Sequence, residues 1–266
     1  MSRGRGAVTR YKGWGARTRR TGPAVIAAVA LLAGCEEIQD AGPPAGGGGG
    51  GAASDGRAVS PLDNPDGTEP GLAPVTGDAD RAEAVALITK VPTKGRGPKT
   101  GYDRDEFGYA WMDTADGVPL ARNGCDTRND LLQRDGEDVR FRSGSNCVVV
   151  AMTLADPYTG TTIEWRKQKA AEVQIDHVVP LSYSWQMGSS RWAEDKRKRL
   201  ANDTLNLIPV QGRANSSKGD SGPAAWLPPD KGIRCSYAVR FAQVALKYEM
   251  PVTTADRRMM LEQCGG

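Results

Sequence analysis

The sequence predicts an α+β domain over residues 79–266, with extra helices around a small strand core and two disulfides. Three observations predict it. Some segments repeat apolar residues at helical spacing, others are β-branched runs bounded by turn residues, and the two kinds follow one another in mixed order. Four cysteines, Cys125, Cys147, Cys235 and Cys264, lie in this region, an even number that implies two disulfides in an exported chain.

Taken in order, Asp80 can cap a helix that carries Val85, Leu87 and Ile88 and stops at Pro92. Asp126 can cap a second through Leu131 and Leu132. The run Cys147 to Val150 reads as a strand, Asp156 to Gly160 as a turn, and Thr161 to Trp165 as the returning strand. Glu172 to Ile175 is extended and leads into Asp176 and His177, and Leu205 to Val210 gives another strand. A helix capped by Ser236 sets Tyr237, Phe241, Val244 and Tyr248 on one face, Pro251 breaks it, and Thr254 starts a last helix that ends at Cys264. Pairing Cys125 with Cys147 and Cys235 with Cys264 closes short loops, each contributing about 3 kcal/mol by chain entropy. Zinc is the poorer reading, since no two cysteines have the short spacing of a structural zinc site and the chain has one histidine.

Charge is distributed in blocks. Residues 1–34 hold seven Lys/Arg and no acid, residues 35–78 hold one Arg and eight acids, and the remainder holds 27 Lys/Arg and 24 acids. Net charges of +7, −7 and +3 exclude a polybasic nucleic-acid binder, and no apolar run reaches the roughly 18 residues of a membrane span. Residues 1–34 read as a signal peptide, with an uncharged stretch from Pro23 to Ala33 that ends in Leu32, Ala33, Gly34, Cys35. That ending resembles the lipobox of bacterial lipoproteins, which makes Cys35 the lipidation site; ordinary secretion is the alternative. Residues 35–78, with 11 Gly, 6 Pro and no aromatic residue, read as a disordered acidic linker.

His177 is the single histidine, and it follows Asp176 at the end of a predicted strand. Downstream, Asn206 opens the next strand, Asn215 follows nine residues later and Lys218 three after that. Strand, turn, strand and the first turn of a helix can gather Asp176, His177 and Asn215 around one cleft, with Asn206 bonded across the connecting loop. An acid beside a histidine, faced by an amide oxygen, suits a general base with a hard-cation site. The donors are oxygen-rich, so the expected ion is Mg²⁺, then Mn²⁺.

Several ordered runs carry a more specific likeness: Tyr102 to Trp111 (YDRDEFGYAW), Cys125 to Leu132 (CDTRNDLL), Asp156 to Gly160 (DPYTG), Asp176 to Leu181 (DHVVPL), Ala201 to Leu207 (ANDTLNL) and Asn215 to Pro229 (NSSKGDSGPAAWLPP). With these the sequence resembles the HNH, or ββα-metal, endonucleases, in the branch at the C-terminus of GmrSD restriction enzymes and of exported actinobacterial relatives. The resemblance implies a ββα-metal core and hydrolysis of phosphodiester bonds, in DNA in preference to RNA. It makes His177 the general base, Asp176 and Asn215 the metal ligands, Asn206 the loop-orienting residue, and Lys218 a phosphate-contacting or site-organising group. Two departures stand out: Asn215 replaces the final histidine, and 28 residues separate His177 from Asn206.

That insertion holds Trp185, Trp192 and the run Lys196 to Arg199. It reads as a helix starting after Ser190 with Trp192 and Leu200 in the core and its cations solvated, and the sharper alternative is a phosphate-contacting face. Arg128 and Arg213 read as structural, and Trp226 to Pro229 as core packing. The expected whole is an exported nuclease tied to the membrane by its lipid anchor alone. A non-catalytic surface module on the same scaffold is the rival, and an envelope hydrolase is poorly supported because no G-x-S-x-G or H-E-x-x-H motif occurs.

Overall fold

A computed structural model describes residues 57–266 of the chain. The signal run, Cys35 and the linker as far as residue 56 lie outside the described residues. Seven α-helices and five strands occur among the described residues: α1 (Asp78–Thr89), α2 (Thr127–Asp135), β1 (Glu137–Phe141), β2 (Val149–Ala155), β3 (Thr162–Arg166), β4 (Val173–His177), α3 (Leu181–Met187), α4 (Glu194–Asn202), β5 (Leu207–Gln211), α5 (Gly212–Lys218), α6 (Arg234–Lys247) and α7 (Thr254–Cys264). None of these helices is long and apolar enough to cross a membrane.

The strands form two antiparallel sheets, β1-β2-β3 and β4-β5, so the class is α+β as expected. The β4-β5 hairpin lies between two cores because successive residues of a strand point to opposite faces. Val173, Ile175 and Leu207 join α2 and the larger sheet through Leu131, Leu132, Met152 and Trp165. Ile208 and Val210 face the larger core, where Tyr237, Phe241 and Val244 of α6 meet Ala84 and Ile88 of α1 and Met260 of α7. Disulfides join Cys125 to Cys147 and Cys235 to Cys264, the short-loop pairing. The second ties the start of α6 to the end of α7.

Caps explain several boundaries and correct one. The Asp126 side chain accepts from Asn129 N at the start of α2, and Thr253 accepts from Asp256 N at the start of α7. Ser236 does not cap α6. It sits inside the helix, where its hydroxyl accepts from Val75 N at 2.9 Å and donates to Ala73 O at 2.7 Å.

These bonds expose the larger correction. The predicted linker extended to residue 78, yet residues 57–77 are built into the domain. Leu72 and Val75 are buried in the main core, Arg134 donates to Gly67 O at 2.6 Å, and Gln243 donates to Pro61 O at 2.6 Å. Gly67 has φ +73°, and a Cβ there would stand 2.4 Å from Leu205 Cα, so only glycine passes this close. Composition misled because this strap has too few apolar residues for a core of its own. It satisfies its backbone on a core that the rest of the chain provides.

Candidate functional site

The site is built where β4 ends and α5 begins. His177 pairs with Leu207 across the hairpin, and α5 follows β5 without a loop. Gly212 permits that junction, because a Cβ there would meet Ala171 O at 2.0 Å. Asn215 and Lys218, three residues apart, share one face of α5 beside β4. Asp176, His177 and Asn215 line a cavity of about 220 Å³ together with Tyr102, Arg104 and Asp220.

Asp176 does not stand open to a ligand. Lys218 Nζ lies 2.9 Å from its Oδ1 and 2.8 Å from its Oδ2, and donates as well to His177 O at 2.7 Å. The Tyr158 hydroxyl donates to Oδ2 at 2.6 Å. Tyr158 comes from the Asp156–Gly160 turn, where the Asp156 carboxylate accepts from Tyr158 N, Thr159 N and Gln211 N and so ties the turn to β5. Burial pushes the Asp176 carboxyl up, and the Lys218 ammonium pulls it back down. Burial likewise pushes Lys218 down, opposed by Asp176. The Lys218 side chain is fully enclosed, so it organises the site and cannot reach a phosphate.

His177 donates from Nε2 to Ala201 O at 3.0 Å. A carbonyl only accepts, so Nε2 carries the hydrogen and Nδ1 keeps its lone pair. Burial, with Arg104 next in effect, pushes the imidazole down to about 3, so the ring is neutral at ordinary pH. Asn206 is fully buried and bridges the loop: its Nδ2 donates to Val179 O and Leu200 O, and its Oδ1 accepts from Val179 N at 2.8 Å. Asn215 donates from Nδ2 to Gln174 Oε1 at 2.8 Å.

Among the described residues no group of three or more His, Cys, Asp or Glu could hold an ion. Asp176 has both oxygens engaged and a cation already within 2.8 Å, and Asn215 offers one neutral oxygen. These residues do not make a resident Mg²⁺ or Mn²⁺ site, and Asp176 as a metal ligand is the expectation the geometry departs from.

Arg104 and Tyr158 received no role from the sequence, although both lie in the runs that carry the resemblance. Arg104 is exposed at the cavity mouth, with no side-chain hydrogen bond or ion pair among the described residues. The insertion after His177 contains a helix with Leu200 in the core, as in its plainer reading, but Arg197 is buried rather than solvated and donates to Glu106 O and Trp192 O. Trp185 and Leu200 are buried, Trp192 stacks on Tyr248, and Arg197 and Lys198 pair with Glu106 and Glu194. Arg128 donates to Val173 O, a structural contact, and Trp226 packs on Tyr158.

The comparisons with known proteins meet this geometry at its centre. Residues 126–263, which contain the whole β4-β5-α5 unit, match the C-terminal domain of GmrSD restriction endonucleases. The chain belongs to the GmrSD restriction endonuclease C-terminal domain family. Membership gives it a nuclease-related function, in the HNH branch that the motifs resemble. It is also similar to an uncharacterized secreted protein of Arthroderma benhamiae, 36% identical over 186 residues that cover 68% of this chain and 84% of the relative. No solved structure matches this GmrSD-family chain.

Proposed function

We propose that the protein is an exported endonuclease that hydrolyses phosphodiester bonds in DNA with His177 as general base. The single observation that carries this reading is the His177 ring, held through Nε2 by Ala201 O as a neutral tautomer with Nδ1 as its basic nitrogen, in a residue that lines a cavity with Arg104. A phosphate seated on the Arg104 guanidinium would stand beside that nitrogen. His177 takes a proton from water, the water oxygen bonds to phosphorus, and the bond to the 3′ oxygen breaks. The products are a 5′-phosphate and a 3′-hydroxyl, whose proton comes from solvent. Asp176 and Lys218 hold the hairpin and α5 in register around this centre, and Asn206 holds the loop. Two disulfides and a secreted relative support export, and Cys35 is proposed as the lipid anchor.

Single-stranded DNA, plasmid DNA and RNA are incubated with the wild type and with His177→Ala, each with and without EDTA. The wild type should cut, and His177→Ala should stay folded by circular dichroism and lose roughly 10²-fold or more in rate. Equal cutting by a folded His177→Ala protein would refute the assignment and leave the non-catalytic module. The EDTA arm measures whether a divalent ion enters with the phosphate.

A further inference from the structure

Beside the hydrolytic pocket stands an aromatic surface that the proposed reaction does not use. Tyr109 is 62% exposed, and only Leu120 joins it among the described residues as an exposed large hydrophobic side chain. Trp111, partly buried against the smaller core, holds a left-handed φ of 61°, an uncommon state for a bulky residue. Its indole lies nearly parallel to the His177 ring, at 15° with centroids 6.1 Å apart. Tyr109, Trp111, Arg104 and His177 line one small cavity.

The loop that carries these rings is braced from both sides. Met112 N donates to Asn202 Oδ1 at 2.8 Å, and Met112 O accepts from Thr127 Oγ1 at 3.0 Å. The Asp113 carboxylate accepts from Asn123 N and Gly124 N, and Tyr109 is hydrogen-bonded through its hydroxyl to Thr114 Oγ1 at 3.2 Å. These bonds hold the loop main chain at Met112 and Asp113, and the Tyr109 ring stands exposed on it.

We propose that Tyr109 and Trp111 form a stacking platform for an unpaired nucleobase, so that the substrate is a single-stranded segment of a polynucleotide. The inference rests on the nuclease reading above and specifies its substrate. An aromatic face stacks any base, and the bases of a duplex have both faces covered by their neighbours. The rings and Arg104 border the same small depression, so a base stacked on the exposed aromatic face would carry its phosphate toward the guanidinium. A duplex would instead lay long phosphate runs across the surface. Asp103 and Asp105, exposed on either side of Arg104, oppose that.

The test measures binding of full-length His177→Ala protein to a labelled single-stranded DNA, to its duplex, and to single-stranded RNA of the same sequence. The DNA single strand should bind at least about tenfold tighter than the duplex. Tyr109→Ala should weaken single-strand binding about tenfold and leave the duplex unchanged, while Tyr109→Phe keeps the affinity. In the active protein Tyr109→Ala should raise KM and spare kcat. Similar affinity for DNA and RNA single strands supports stacking, which does not read the sugar. Equal affinity for single strand and duplex, or single-strand binding insensitive to Tyr109→Ala, would overturn the platform. Tyr109-dependent binding by a wild type that cuts no nucleic acid would sink the nuclease reading and keep the platform. Cutting that ignores Tyr109 would do the reverse.

Discussion

Replacing Lys218 by Met should destabilise the protein by on the order of 3–5 kcal/mol, because it removes one partner of a fully buried ion pair and leaves the other. The Lys218 ammonium makes two contacts to Asp176, at 2.9 and 2.8 Å, and one to His177 O at 2.7 Å. Side-chain exposure is 0% for Lys218 and 5% for Asp176, so water cannot take the place of the lost donor. The carboxylate would keep the Tyr158 hydroxyl at 2.6 Å, which does not neutralise it. For a domain of this size the loss corresponds to a Tm lower by roughly 6–20 °C. Adding Asp176→Asn should recover much of it, since an uncharged amide needs no counter-charge. Burial already pushes the Asp176 carboxyl up, and without Lys218 that push is unopposed. The folded variant then binds a proton more readily than the unfolded chain, so its deficit against the wild type should shrink as pH falls. Urea unfolding at pH 5 and pH 8, followed by tryptophan fluorescence, measures all three quantities. A deficit under about 1 kcal/mol, or one that grows in acid, would refute the buried-pair reasoning.

Two further outcomes are expected. A protein beginning at residue 79 loses Leu72 and Val75 from the core, roughly 3–6 kcal/mol of apolar burial, removes one of the acceptors of Arg134 and takes Pro61 O from the Gln243 amide. It should melt far below a protein beginning at residue 57, and equal melting temperatures would contradict the strap. Burial raises Asp130 to about 6, above its ordinary value near 3.8. The folded state therefore holds the extra proton between about pH 4 and 6, and stability falls as pH rises through that window. Asp130→Asn should raise Tm at pH 8 with little effect at pH 4, and a uniform shift at both would count against it.

What could be read in the sequence was what has local signature. Asp126 and Thr254 marked helix starts to within a residue or so, and the short-loop rule paired the cysteines. The hairpin and its helix were legible because apolar runs flank Asp176 and Asn206. The strand β1 was missed, since Glu137, Asp138 and Arg140 hide the alternation of an edge strand. Within the site, the positions of Asp176, His177 and Asn215 were readable, while the partner of each was not. Lys218 stands 42 residues from Asp176, and nothing local distinguishes a lysine that seeks a carboxylate from one that seeks a phosphate. The acceptor of His177 is a backbone carbonyl, which no residue type announces. Residues 57–77 were misassigned because their order is borrowed from Ser236, Arg134 and Gln243, far along the chain.

The carbonyl that orients His177 belongs to Ala201, near the end of α4, and Asn206 holds the neighbouring Leu200 O. One residue added to a helix advances everything beyond it by about 100° and 1.5 Å. A single-residue insertion between Glu194 and Leu200 would therefore swing the Ala201 carbonyl off the imidazole and free the ring to change tautomer. The same insertion between Gly188 and Ala193 falls in the connection before the helix, a short 3-10 turn at Ser189–Arg191, and leaves the phase of α4 unchanged. Within the 28 residues after His177, a change of length in the α3–α4 connection thus differs from one inside α4, whose length is locked to helical phase. Grafting or shortening the segment should respect that division.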